Sequence, residues 1–278
     1  MSPLLNIGCG FCHHPAFTNV DFVSDSPEVI SCDLRKGIPF ADGQFEFVYH
    51  SHVLEHFDLP GARKLLRECH RVLAPGGIIR ISVPDLAQWA RVYLKTLDDA
   101  IRGEPGAPER HAWMQIELLD QMVRARSGGH FLEFLREADA DLRPFIESRV
   151  GPYNEFVPPE EEKADARKPD WKAPLRPFVR WLKSAGYRRE ARIRRVLGED
   201  YAPWETARFR ERGEIHQWMY DSVSLGGELR DAGFADITVR DAVTSARGDW
   251  ATFHLDTFPD GSPRRPNSLY VEASRQNG

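Results

Sequence analysis

The apolar run Leu4-Leu5-Asn6-Ile7 breaks abruptly into Gly8-Cys9-Gly10, a pattern that predicts a buried strand feeding a ligand-binding turn. Glycine at 8 and 10 permits positive φ and lets the backbone approach a ligand with no Cβ in the way. Thr18-Asn19-Val20-Asp21 is a second short β-prone run, a third starts at about Val29, and Phe45 to Tyr49 is a fourth. The fourth is nearly continuous in apolar residues apart from Glu46, as suits a strand covered on both faces. Asp58 and Pro60 then signal a helix start. Ala62, Leu65, Leu66, Cys69, Val72 and Leu73 recur at helical spacing on one face, with Arg63, Lys64, Arg67, Glu68 and Arg71 on the other. Ala74-Pro75-Gly76-Gly77 ends that helix before a fifth strand, Ile78 to Pro84. Alternating strand and helix signals predict an α/β fold, a doubly wound and mostly parallel sheet with right-handed crossovers.

From Leu86 the pattern changes. Residues 86–213 carry helical patterns broken by Gly103-Glu104-Pro105-Gly106 and by an acidic, proline-rich stretch from Pro158 to Asp170. The stretch is too long for a crossover and predicts a large helical insertion after the fifth strand, a lid placed to bind an acceptor. Within it Arg176, Arg180, Lys183, Arg188, Arg189, Arg192, Arg194 and Arg195 interleave with Phe178, Trp181, Leu182 and Tyr187. That is the pattern of a solvated amphipathic helix pair, or of a platform for a phosphorylated substrate or an anionic membrane surface. The α/β pattern returns at Glu214. Asp221 caps a helix that turns Leu225, Leu229 and Ala232 inward and stops at Gly233. Ile237 and Val239, and then Leu269, Val271 and Ala273, alternate as two closing strands. Residues 1–85 and 214–278 are thus expected to form two parts of one domain interrupted by 86–213.

Composition narrows the function. A chain of 278 residues with formal charge −5 and pI ≈ 6.1 gives no reason to expect a nucleic-acid partner. No stretch reaches the roughly 18 consecutive apolar residues of a membrane span, so no integral membrane association is expected. Met1-Ser2-Pro3 passes into the first strand without a charged n-region or apolar h-region, which predicts a cytoplasmic protein with free thiols. All four cysteines, Cys9, Cys12, Cys32 and Cys69, fall in the first quarter. Cys9-Gly10-Phe11-Cys12-His13 has haem-attachment spacing, and Cys9, Cys12, His13 and His14 could hold zinc; the plainer reading is a loop beside a ligand. His52-Val53-Leu54-Glu55-His56 has the inverted zincin spacing, but that motif needs a helix and a strand runs into it here. No metal site is assigned.

Asp21, at a strand end, can accept both hydroxyls of a ribose. Asp33 can accept from an adenine amino group while the Leu34 amide donates to the ring, or can simply cap a turn. The dinucleotide fingerprint asks for a third glycine where His13 stands, which disfavours a nicotinamide or flavin. Taken in order, Leu4 to Gly10, Asn19-Val20-Asp21, Cys32-Asp33-Leu34 with Pro39-Phe40, Phe45 to Val48, Leu54-Glu55-His56, Arg71 to Gly77 and Ser82-Val83-Pro84-Asp85 resemble the motifs of class I S-adenosylmethionine-dependent methyltransferases. They are most similar to the type 11 kind, in the short bacterial branch met among polysaccharide and secondary-metabolite genes. The resemblance covers residues 3–85 closely and 214–275 more loosely. Asn6 departs from the usual acid, Cys12 from a common third glycine and Glu46 from a common Asp.

The resemblance implies a Rossmann-like sheet with a C-terminal antiparallel strand, and S-adenosyl-L-methionine as cofactor. It implies cofactor contacts from Asn6, Gly8, Cys9, Gly10, Asp21, Asp33, Leu34, Ser51 and His52, with Ser51 and His52 at the sulfonium end. His216 is placed near the methyl group as the base, with His52 as the second catalytic candidate and Asp85 and His254 as rivals. The implied reaction is methyl transfer to a hydroxyl or amine of a small molecule or glycan. A non-catalytic cofactor-binding module and a metal-dependent hydrolase are the alternatives. No feature of the sequence sets an oligomeric state.

Overall fold

The computed structural model describes residues 3–23, 26–157 and 185–277. The acidic stretch 158–170, Arg176, Phe178, Arg180, Trp181, Leu182, Lys183 and the side chain of Tyr187 lie outside the described residues. One sheet contains β1 (Leu4–Ile7), β2 (Thr18–Asp21), β3 (Val29–Ser31), β4 (Phe45–Ser51), β5 (Leu73–Pro84), β6 (Phe234–Arg240) and β7 (Ser268–Arg275). Their order is β3-β2-β1-β4-β5-β7-β6. β1 to β5 are parallel, and β7 runs antiparallel between β5 and β6. The fold is α/β and Rossmann-like. The chain steps outward from β1 to β3 and then jumps back to set β4 on the other side of β1. That reversal opens a crevice beyond the carboxyl ends of β1 and β4, where ligands of open α/β sheets bind.

The described α-helices are α1 (Leu59–Val72), α2 (Leu86–Ile101), α3 (Ala107–Val123), α4 (Gly129–Glu137), α5 (Arg143–Val150), α6 (Ala185–Leu197), α7 (Tyr201–Arg210) and α8 (Ser222–Asp231). Asp58 caps α1 by accepting from Gly61 N at 2.9 Å, and Asp221 caps α8 through a capping box. These two helices bury Ala62, Leu65, Leu66, Cys69, Val72, Leu225 and Leu229 against Leu5, Ile7, Val48, Ile79 and Ile81 on one face of the sheet.

On the other face the expected alternation of strand and helix does not hold. Residues 8–17 join β1 to β2 and 22–28 join β2 to β3, too few for a helical crossover, and their described residues form no helix. An aromatic loop covers the sheet there instead. Trp250 and Phe253, from the 3-10 turn Trp250–Phe253, pack with Leu4, Phe17, Phe47, Tyr49 and Leu255.

The closing strands also differ from expectation. Leu269, Val271 and Ala273 are buried as the alternation predicts, but the intervening Tyr270 and Glu272 are buried too, and Val239 is exposed. β6 is the edge strand, and its register slips between Ala235 and Thr238, beside Asp236 at φ 51°. A slip of this kind breaks the period-two alternation that the sequence reading assumed.

α2 to α5 contribute to a second apolar cluster that includes Trp113, Met114, Phe131, Leu135, Ile146 and Val150. Fully buried Glu117 ties it to the sheet: it pairs with Arg149 at 2.9 Å and accepts from Trp113 Nε1 at 3.0 Å and from Asn267, just before β7, at 2.9 Å. On α6, Arg188, Arg189, Arg192, Arg194 and Arg195 are exposed. No helix among the described residues is long and apolar enough to cross a membrane.

Candidate functional site

A cavity of about 390 Å³ opens in the crevice, within the ~300–1,000 Å³ range of ligand sites. The turn after β1 forms one wall. Gly8 and Gly10 take φ of 63° and 51°, and the amides of Gly8 and Cys9 both donate to Val20 O. A Cβ on Gly8 would clash with Val53 Cγ2, so the turn packs directly on the loop after β4. A Cβ on Gly10 would meet nothing within 4 Å. Asn6 is buried and its Nδ2 donates to Cys12 O at 3.0 Å and Asn19 Oδ1 at 3.1 Å. An ionised acid at this position would have no proton for either acceptor, which accounts for the amide here.

The end of β4 forms the facing wall with Tyr49, Ser51 and His52, joined by Ser82 of β5. His52 sits at φ 54°, an uncommon conformation for a side-chain-bearing residue, and its amide donates to Ser82 O at 2.9 Å. Its Nδ1 lies 3.1 Å from Glu55 Oε1 and its Nε2 2.8 Å from Ser268 Oγ. Glu55 is fully buried. Burial pushes its carboxyl up, but the hydrogen bond from His52 leads the effects that outweigh that and hold it down at about 2, so it stands as an anion.

Beneath the cavity lies a buried ionic network. Asp256 accepts from Tyr49 Oη at 2.6 Å and from Arg80 Nε at 2.8 Å. Arg80, with no exposure, also donates to Glu272 at 3.0 Å, Thr244 O at 2.9 Å and Asp241 O at 2.6 Å, while its guanidinium lies 4.7 Å from the centre of the Trp250 ring. At the rim, Arg264 and Arg265 pair with Glu155 of the insertion at 3.2 and 2.9 Å. Exposed Phe11 adds an apolar edge.

Of the residues singled out in the sequence, Asn6, Gly8, Cys9, Gly10, Ser51 and His52 line this cavity. Burial pushes the Cys9 thiol up to about 12, which keeps it a protonated, unreactive group at neutral pH. Asp21 is outside the lining but bonded to it: Oδ2 accepts from Gly10 N at 2.7 Å and Oδ1 from Phe22 N at 2.6 Å. Asp33 and Leu34 do not line the cavity. Asp33 caps the 3-10 turn Leu34–Lys36, and its hydrogen bonds from Arg35, at 2.8 and 3.1 Å, hold its carboxyl below the usual range.

His216 does not line the cavity either. It is buried, its ring centre 4.9 Å from that of His56 and its amide bonded to Gln121 O; burial drives the imidazole down to about 3, so it is neutral at pH 7. Asp85 caps α2 through Ala87 and Gln88, and His254 is exposed. Cys9, Cys12, His13 and His14 do not converge; among the described residues the group with metal-ligand spacing is Glu55, His56 and His216. Sequence reasoning gave no site role to Tyr49, Tyr270, Glu155, Arg264 or Arg265. Only Arg264-Arg265, a basic pair directly before a proline and a strand, carried a local signal.

Residues 13–81 match the family model described as Methyltransferase domain. Among solved structures, an S-adenosylmethionine-dependent methyltransferase from Mesorhizobium loti is similar at 16% identity and TM-score 0.36, covering 98% of this chain and 90% of that one. One from Thermotoga maritima is similar at 11% and 0.38, covering 98% and 82%, and one from Archaeoglobus fulgidus at 12% and 0.37, covering 98% and 85%. No match was found among curated proteins.

Proposed function

We propose that the chain is a class I S-adenosylmethionine-dependent methyltransferase that methylates a hydroxyl or amine of a small molecule or glycan, with His52 receiving the proton that the acceptor gives up. When bound, S-adenosylmethionine supplies a methyl group made electrophilic by the sulfonium. The residues present fit it. The open space over Gly10 admits a ligand against bare backbone, and the Asp21 carboxylate, which has about four lone-pair sites, can accept from ribose hydroxyls as well as from two amides. Asn6 and Cys9 shape the turn, and Ser51 and His52, which line the same cavity, would hold the sulfonium end. Asp33 is committed to Arg35 and is assigned no cofactor contact.

The observation that carries the reading is the setting of His52. With Nδ1 directed at the Glu55 anion, the ring proton belongs on Nδ1 and the lone pair on Nε2, which now faces the Ser268 hydroxyl. An acceptor hydroxyl that displaces Ser268 meets that lone pair, and Glu55 stabilises the imidazolium as the proton arrives. The insertion 86–213 reaches the cavity rim through Glu155 on Arg264 and Arg265 and is the part proposed to select the acceptor.

The test is steady-state turnover of His52→Gln, using an acceptor found by screening extracts for release of S-adenosylhomocysteine. We expect kcat to fall about 10²- to 10⁴-fold with the Kd for S-adenosylhomocysteine little changed. Undiminished kcat would remove His52 from the chemistry.

A further inference from the structure

We propose that Glu55, His56 and His216 bind one divalent transition-metal ion, preferentially zinc, which pins the segment before α8 to the loop after β4. The three residues come from places some 160 positions apart in sequence, yet their donor atoms lie within 4.8 Å of one another. Among the described residues, Glu55 Oε2 and Nδ1 of His216 are buried with no hydrogen-bond partner, and Glu55 Oε1 has only His52 Nδ1 beside it, at 3.1 Å. Buried polar atoms of this kind call for a partner, and two imidazoles with one carboxylate are a cation's donors.

The third residue is already arranged as a metal-bound imidazole would be. His56 Nδ1 faces Ile215 O at 3.0 Å; a carbonyl only accepts, so the proton lies on Nδ1 and the lone pair on Nε2. Metal-ligating histidines commonly donate their other N–H to a carbonyl in this way. The nitrogen donors favour zinc or a neighbouring first-row ion over magnesium or calcium, which take oxygen ligands. Tetrahedral zinc with bonds of ~2.1 Å wants its donors about 3.4 Å apart, so the side chains must draw together on binding. The backbone already holds the two segments in register, since Gln217 N and Trp218 N donate to Glu55 O and Gln217 Nε2 donates to His56 O.

The site is distinct from the Cys-His motif of the first turn, and it changes the inverted-zincin reading: Glu55 and His56 of that motif take part, His52 does not, and the third donor is His216. It lies outside the lining of the cofactor cavity; it shares Glu55 with the methyl-transfer proposal, but its test reads metal content and melting rather than turnover, so the two can fail separately.

The test is metal content and zinc-dependent melting of the full-length chain. Protein grown with zinc and desalted should carry about one zinc per chain by elemental analysis. After chelator treatment its melting temperature should rise on adding one equivalent of zinc. His216→Gln and Glu55→Gln should lose that rise, and Cys12→Ser should keep it. Cobalt-loaded wild-type protein, which needs no variant to fold, should show visible ligand-field bands and no thiolate charge-transfer band. Absence of bound zinc together with no melting shift, zinc retained by His216→Gln but lost by Cys12→Ser, or a thiolate band with cobalt would each overturn the proposal.

Discussion

The carboxylate of Asp21 links the end of β2 to the glycine turn, accepting from the amide of Gly10 and from that of Phe22. Asp21→Ala deletes this acceptor and, in the proposed cofactor site, leaves ligand hydroxyls unpaired. We expect affinity for S-adenosylhomocysteine to drop by about 1–3 kcal/mol, roughly 5- to 150-fold, measured by calorimetry. Unchanged affinity in folded protein would contradict the site. Such residues were legible because their signals are local: a strand ends, glycines follow, and a strand-final acid stands beside the turn. His216 lies outside the cavity lining, and nothing local in the sequence distinguishes a histidine that faces the cavity from one that folds back. Its neighbours Glu55 and His56 are set by backbone pairing between distant loops, which no periodicity reports. Asp33 could serve as ligand contact or turn cap from its sequence alone, and the structure has it capping the 3-10 turn and paired with the Arg35 guanidinium two residues on.

At the scale of elements, Arg80 interrupts the apolar run of β5, and the network around it explains why. Asp256 comes from the loop before β7, Glu272 from β7, and the carbonyls of Asp241 and Thr244 from the loop after β6. One guanidinium thus fastens the aromatic loop that replaces helices on that face of the sheet. Arg80→Met leaves buried Asp256 without its cation and Glu272 with Arg240 alone, and should cost about 3–5 kcal/mol, read as a lower urea midpoint. A loss under about 1 kcal/mol would show that the network relaxes or takes in water. The strands on either side were readable because burial on both faces makes continuous apolar runs. The helix-free links were not, because the alternation expected of a parallel sheet is a rule about crossovers, whereas residues 8–17 and 22–28 only bridge adjacent strands. Burial of both faces of β7 was equally hidden, since its polar Glu272 is buried by Arg80 and Arg240.

The whole molecule carries a built-in sensitivity to acid. Burial holds His50 down at about 4 and His216 at about 3, while both titrate near 6.5 in the unfolded chain. Their folded values are depressed, so below about pH 6.5 the unfolded state binds protons that the folded state refuses. The stability they protect is complete above that pH and is lost as pH falls toward 4 and 3, at up to about 1.4 kcal/mol per pH unit for each. Chelator-treated protein should therefore melt at lower temperature from pH 6.5 to 5, before ordinary carboxylates titrate, and His50→Phe should flatten the slope. A level profile over that range would contradict neutral burial of these rings. The architecture that buries them also places the proposed cofactor site, at the reversal of strand order between β1 and β4. The most direct measurement of that placement is a crystal structure with S-adenosylhomocysteine. The result expected is ligand lying along Gly8 to Gly10, ribose hydroxyls on Asp21 and the sulfur facing His52; ligand bound elsewhere, or bound here with its sulfur turned away from His52, would contradict it.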